Sequence, residues 1–246
     1  MTVPTTAFTS DDLTDSGVWT EGGSAFSNVV ADQHGGNAID FDGVNDDVDT
    51  GAQVLTSGTT GSFVIWVKTT TTATDSLFQE RDTTGTGEGW YIRTIGGALQ
   101  VSATSAAAGA RSSQTSTLIN DGAYHRIMGV VRSTTVLDVY IDGVEATYSN
   151  HSYKVNGGFT GFVSNVSKSL RVGDNSNNSL PYTGIASRPS VWTEALSAAQ
   201  VLEEYDAEVA LLGSPDTDIG GLGRPSFRNS MVRQNKWMRG PLRYRR

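Results

Sequence analysis

Residues 62–68 read SFVIWVK, and in an extended chain Phe63, Ile65 and Val67 fall on one face while Val64 and Trp66 fall on the other. A strand that is apolar on both sides has to be covered on both sides, so this stretch predicts a central strand of a layered β-structure. Working outward, residues 124–132 (YHRIMGVVR) and 136–141 (VLDVYI) form two more strong strand signals, and the Asp142-Gly143 pair that follows predicts a tight hairpin into residues 144–147. Upstream, Ile39 and Phe41 alternate with Asp40 and Asp42 before a turn at residues 43–47. Shorter apolar runs at 77–80, 90–95, 99–103, 159–163 and 170–173 read as further strands, whereas the small polar side chains of residues 105–116 read as a mobile loop.

Composition agrees with this pattern. The chain has 246 residues with 28 glycines and 37% hydrophobic content, enough for a core built mostly from strands and turns. It contains no cysteine, which removes disulfides, thiolate metal sites and cysteine nucleophiles. Residues 1–12 lack a basic stretch followed by an apolar core, and nowhere do 18 apolar residues run together, so neither a signal peptide nor a membrane span is expected. The sequons at Asn150, Asn165 and Asn177 are then read as coincidences of an Asn- and Ser-rich composition. One helix stands out, AAQVLEEYDAEVALL after Ser197, with Gln200 placed to complete a capping box.

Charge divides the chain sharply. Residues 219–246 hold eight cations and no carboxylate. The whole chain carries 18 cations and 26 carboxylates, so subtracting those eight leaves the first 218 residues with 10 against 26, a net −16 beside +8. The expected organisation is an extended N-terminal lead-in (1–35), a β-domain (36–212), and a linker with a basic C-terminal arm (213–246).

The order of six motifs resembles a known family. AIDFDGVNDDVD (38–49), SFVIWVK (62–68), DGAYHRIMGVV (121–131), LDVYIDGVE (137–145), LRVGD (170–174) and WTEALSAAQVLEEYDA (192–207) look like the laminin G-like, concanavalin A-like jelly roll. The resemblance covers about residues 36–210. It implies an all-β fold, a two-sheet antiparallel jelly-roll sandwich with one short C-terminal helix, flanked here by extended terminal arms. It also implies loops that bind glycans or proteins, and in many members a calcium ion. Where the family carries an acidic pair in the strand before the helix, this chain has GIASRPSVW (184–192), with Ser187 and Arg188 at those positions.

Several constellations carry candidate chemistry. Asp40, Asp42, Asp46, Asp47 and Asp49 offer hard oxygen ligands, with Asp42 and Asp46 as the calcium candidates, but the spacing is not an EF-hand and turn carboxylates are the favoured reading. No cofactor is otherwise implied. Asp138 and Asp142 lie four apart on one strand side, as a glycoside hydrolase pair would, yet Asp142 opens a turn. His34, His125 and His151 are widely spread without a metal-binding motif, and no nucleophile elbow or phosphate loop occurs, so no enzyme is expected.

Two binding surfaces remain. Trp90, Tyr91 and Tyr182 are read as loop-edge aromatics for sugar stacking. In the basic arm, Arg224, Arg228, Arg233, Lys236, Arg239 and Arg243 interleave with Phe227, Trp237 and Tyr244, a pattern suited to clamping an acidic protein neighbour and less well to nucleic acid. The leading expectation is a structural component of a virus or phage particle, made in the host cytoplasm and carried in the virion as a capsid decoration or tail-associated protein. Its partners would be neighbouring subunits, most simply copies of itself, with no membrane involved. A carbohydrate-binding, lectin-like module that meets a cell-surface glycan is the alternative, and a glycoside hydrolase is third.

Overall fold

The computed structural model describes residues 6–212, apart from 11, 83–86, 106–108, 164–167 and 175–178. The chain divides into two units, residues 1–215 and 216–246. The linker and basic arm, with all their candidate residues, lie outside the described residues, as do the sequons at Asn165 and Asn177.

Sixteen strands, one short 3-10 turn and one α-helix build the described part. The strands are β1 (Phe8–Thr9), β2 (Thr20–Gly22), β3 (Val29–Ala31), β4 (Asn37–Asp42), β5 (Asp47–Asp49), β6 (Gly61–Lys68), β7 (Ser76–Asp82) and β8 (Gly89–Ile95). They continue with β9 (Ala98–Thr104), β10 (Ala110–Leu118), β11 (Tyr124–Val131), β12 (Leu137–Ile141), β13 (Val144–Glu145), β14 (Tyr148–Val155), β15 (Lys168–Val172) and β16 (Thr183–Trp192). The helix α1 spans Ala198–Leu212.

Two antiparallel sheets result. The first runs β13-β12-β11-β6-β16-β4-β3, with β1 also paired to β16; the second runs β14-β10-β9-β8-β7-β15-β5-β2. This is the jelly-roll sandwich that the motif order implies, and β6 sits at the middle of its sheet. Its two apolar faces are both used. Phe63, Ile65 and Val67 enter the inter-sheet core, where Phe63 stacks on Trp90 from the opposite sheet at 3.9 Å between ring centroids. Val64 joins a second cluster with Met128, Val130, Tyr140, Trp192, Leu196 and Val201, so the other face is covered by the segment leading into α1. Trp66 on that face stacks against Tyr205 of the helix.

The first 35 residues are not a lead-in outside the domain. Phe8 and Thr9 pair with Val191 and Ser190, residues 20–22 pair with β5, and residues 29–31 pair with β4. Strands of two or three residues are too short to show a period, so the pattern of side chains does not reveal them. Residues 110–118 likewise form a nine-residue strand where the small polar side chains predict a mobile loop. Its serines and threonines are held by hydroxyl bonds, Ser113 Oγ to the Leu137 carbonyl at 2.6 Å and Ser112 Oγ to Ser102 Oγ at 2.7 Å, so a strand forms with little apolar signal. Residues 159–163 contribute only an isolated bridge, Gly58 to Phe162.

Candidate functional site

In WYIRTI (90–95) the period of two separates Trp90 and Ile92, which enter the core, from Tyr91 and Arg93, which point the opposite way. Cross-strand register extends that outward face. Tyr153, Ser112, Ser102, Tyr91, Gln79, Arg171 and Asp49 are successive partners across the second sheet, from β14 to β5, and directly opposed residues share a face. One row away, Gln100 pairs with Arg93.

This face is polar, hydrogen-bonded and centred on an aromatic ring. The guanidinium of Arg81 lies 5.2 Å from the Tyr91 ring centroid and that of Arg93 lies 5.1 Å from it. Arg93 Nε donates to Gln100 Oε1 at 2.7 Å, Tyr91 Oη donates to the same oxygen at 3.4 Å, and Gln100 Nε2 donates to Tyr153 Oη at 2.5 Å. Gln79, Gln100 and Ser102 are buried among the longer side chains of Tyr91, Arg93 and Tyr153. Among the described residues, no carboxylate forms an ion pair with Arg93. The centre therefore brings together on one surface an aromatic ring capped by two guanidinium groups, their remaining N–H donors and a phenol. At the far end of the row the sign balance differs: Arg171 is committed to Asp49, 2.7 Å away.

Two of the three sugar-stacking candidates have to be corrected. Trp90 is fully buried between the sheets, stacked on Phe63 and edge-on to Phe78. Tyr182 is also fully buried, and its hydroxyl donates to the carbonyls of Lys68 and Ile185; burial holds that hydroxyl's pKa well above its ordinary value. Both are large rings beside turns, and a turn position suggests exposure even where, as here, the ring fills core volume. Of the three, Tyr91 alone stays on the surface. Sequence reasoning missed Arg81, Arg93, Gln100 and Tyr153, although the alternation Tyr91-x-Arg93 opposite an apolar face was there to be read.

The remaining candidates are occupied within the fold. Asp46 is buried; its carboxylate accepts from the Ser24 amide at 2.8 Å and from Asn28 Nδ2 at 2.7 Å, while Asp42 Oδ1 accepts from the Val44 amide at 2.8 Å. Asp42 is thus a turn carboxylate, whereas Asp46 ties residues 24–28 to this turn. Asp40 and Asp42 also line a shallow hollow of about 380 Å³ with Asn28, Val29 and Val30, on the first sheet. The hydrolase pair is split. Asp142 binds His125 Nδ1 at 2.7 Å and the Arg126 amide at 2.8 Å, whereas Asp138 binds Arg132 and His151. At the position of the family's acidic pair, Arg188 takes a left-handed φ of 51° in a bulge of β16 and bonds the buried Asp32 at 2.7 Å.

A family model described as the concanavalin A-like lectin/glucanases superfamily, laminin G type, matches residues 42–202. The chain belongs to this superfamily. No curated protein sequence matches it. Among solved structures, domain 4 of AbnA, an extracellular arabinanase of Geobacillus stearothermophilus, in complex with arabinotriose, is 19% identical with a TM-score of 0.56, over 78% of this chain and 92% of that one. The binding domain of Paraclostridial Mosquitocidal Protein 1 is 14% identical with a TM-score of 0.57, over 77% of this chain and 48% of that one. The botulinum neurotoxin serotype D ligand binding domain in complex with N-acetylneuraminic acid is 11% identical with a TM-score of 0.54, over 75% of this chain and 45% of that one. The chain spans about half the length of these toxin domains. At such identities the likeness concerns the fold: this superfamily member is lectin-like in architecture.

Proposed function

We propose that the domain binds a glycan through the outer face of the second sheet, with Tyr91 as the central ring, Arg81, Arg93 and Tyr153 as hydrogen-bonding groups, and the buried Gln100 holding Arg93 and Tyr153 in place. The observation that carries this reading is the Tyr91 centre itself, an aromatic ring flanked by two guanidinium groups on a polar sheet face. Sugars present apolar C–H faces and rings of hydroxyls, which such a surface meets by stacking and by N–H and O–H donation. Two cations at the ring favour sugars that carry a carboxylate or sulfate over neutral ones. Relatives in fold that were solved with arabinotriose and N-acetylneuraminic acid support a sugar ligand without placing it. We infer binding without catalysis, because Asp138 and Asp142 are each committed to different basic partners.

The test is a glycan array that includes neutral and acidic oligosaccharides, probed with wild type and Tyr91→Ala. Binding by the wild type that Tyr91→Ala loses, with an unchanged circular dichroism spectrum, supports the proposal. Equal binding by both proteins removes the site from the account.

A second reading rests on charge. The eight cations of residues 219–246, set beside a body of net −16, suit an anchoring arm that docks on an acidic neighbour in a particle of virus or phage type. Arg and aromatic residues are the side chains that dominate such contacts. Deleting residues 220–246 should leave the sandwich soluble and abolish its incorporation into the assembly. Unchanged incorporation would contradict the anchor.

A further inference from the structure

Asp138 in β12, Glu145 in β13 and His151 in β14 each bring one ligand atom within 4.8 Å of the other two. These residues are 138, 145 and 151 in sequence, too irregular for a motif, and only the packing of one sheet on the other gathers them. β13 is the edge of the first sheet and β14 the edge of the second, so the three side chains meet where the two sheet edges come together.

The arrangement is oriented by its surroundings. Arg132 Nε binds Asp138 Oδ2, while the rest of that guanidinium donates to Tyr140 Oη at 2.5 Å and the Leu196 carbonyl at 2.8 Å. Asp138 Oδ1 is thereby turned toward His151 Nε2, 2.9 Å away. The ring of Tyr148 stacks on the imidazole at 4.0 Å with a 12° interplanar angle, and its hydroxyl lies 3.3 Å from Glu145 Oε1. Asp138 is almost fully buried, whereas Glu145 and His151 are exposed, so an ion could reach the site from solvent.

We propose that this cluster binds a divalent transition metal of the zinc type. One imidazole nitrogen and two carboxylate oxygens are a donor set that zinc accepts, with bonds of about 2.0–2.2 Å and water as the fourth ligand. The imidazole excludes calcium, which takes oxygen ligands. Ligands of one tetrahedral ion stand about 3.3 Å apart. His151 Nε2 and Asp138 Oδ1 therefore need to separate by only a few tenths of an ångström. The metal takes the place of the hydrogen between those atoms, leaving the imidazole neutral with its hydrogen on Nδ1. Arg132 acts outside the ligand set, holding the carboxylate in place while its charge opposes the ion. Bound metal ties β13 to β14 and resists separation of the two sheet edges.

Tag-free, full-length protein freed of metal by chelator dialysis is titrated with Zn²⁺ by calorimetry at neutral pH, and with Co²⁺ to read the visible absorption of four-coordinate cobalt. One equivalent should bind, and zinc at a hundredfold excess over its Kd should raise Tm by roughly 5–10 °C. His151→Ala and Glu145→Gln change exposed side chains and should fold normally, yet each should weaken binding at least tenfold. If the wild type takes up no zinc at this excess, or either variant binds like the wild type, the proposal is overturned.

Discussion

Asp142 and Gly143 take φ values of 54° and 79°, and these two left-handed residues make the tight turn between β12 and β13. Their pairing was legible because few residue types tolerate that backbone. What the local sequence did not show is the second task of Asp142, which binds His125 Nδ1 while Asp121 sits 3.1 Å from Nε2. The hydrogen bond that His125 donates to Asp142, opposed by burial and reinforced by Asp121, raises the His125 pKa above its ordinary 6.5. A raised folded-state value means the protonated ring stabilises the fold. That contribution is complete below about pH 6.5 and is lost as pH rises through the higher folded-state value. The Tm advantage of wild type over His125→Gln should therefore be largest near pH 6 and shrink toward pH 8. An advantage that grows with pH would contradict the assignment.

Elements were legible where apolar period was strong. β6, β11 and β12 fall within a residue or so of their expected bounds because burial on both faces leaves continuous apolar runs. β10 was not legible, since its inward contacts are made by Ser113 and other hydroxyl-bearing residues and not by aliphatic side chains. The bulge in β16 was hidden for a different reason: Arg188 turns to meet Asp32 from a distant part of the chain, a contact that no local pattern encodes. At the start of α1 the capping box formed as expected, with Ser197 N donating to Gln200 Oε1 at 2.9 Å and Gln200 N donating to Ser197 Oγ at 3.3 Å. Ser197→Ala should cost about 1 kcal/mol in chemical denaturation. A loss below a few tenths would mean that packing alone fixes this end of the helix.

Across the whole molecule, the sandwich separates two kinds of surface. The first sheet covers the outer side of β6, β11 and β12 with the segment that carries Trp192, Leu196 and Val201, and the second has a polar outer side on which Tyr91 and Arg93 are half-buried. This asymmetry follows from β6, whose second apolar face demands a cover, and from β8, whose second face alternates Tyr91 and Arg93 and needs none. The family resemblance therefore supplied the fold, while the surface came from register, which joins residues far apart in sequence into one row. The most direct measurement is a calorimetric titration of wild type, Tyr91→Ala and Arg93→Gln with a sialylated oligosaccharide and its neutral counterpart. The outer-face site predicts saturable binding of the acidic sugar that Tyr91→Ala abolishes and Arg93→Gln weakens, with the preference over the neutral sugar reduced. Undiminished binding by both variants would contradict it.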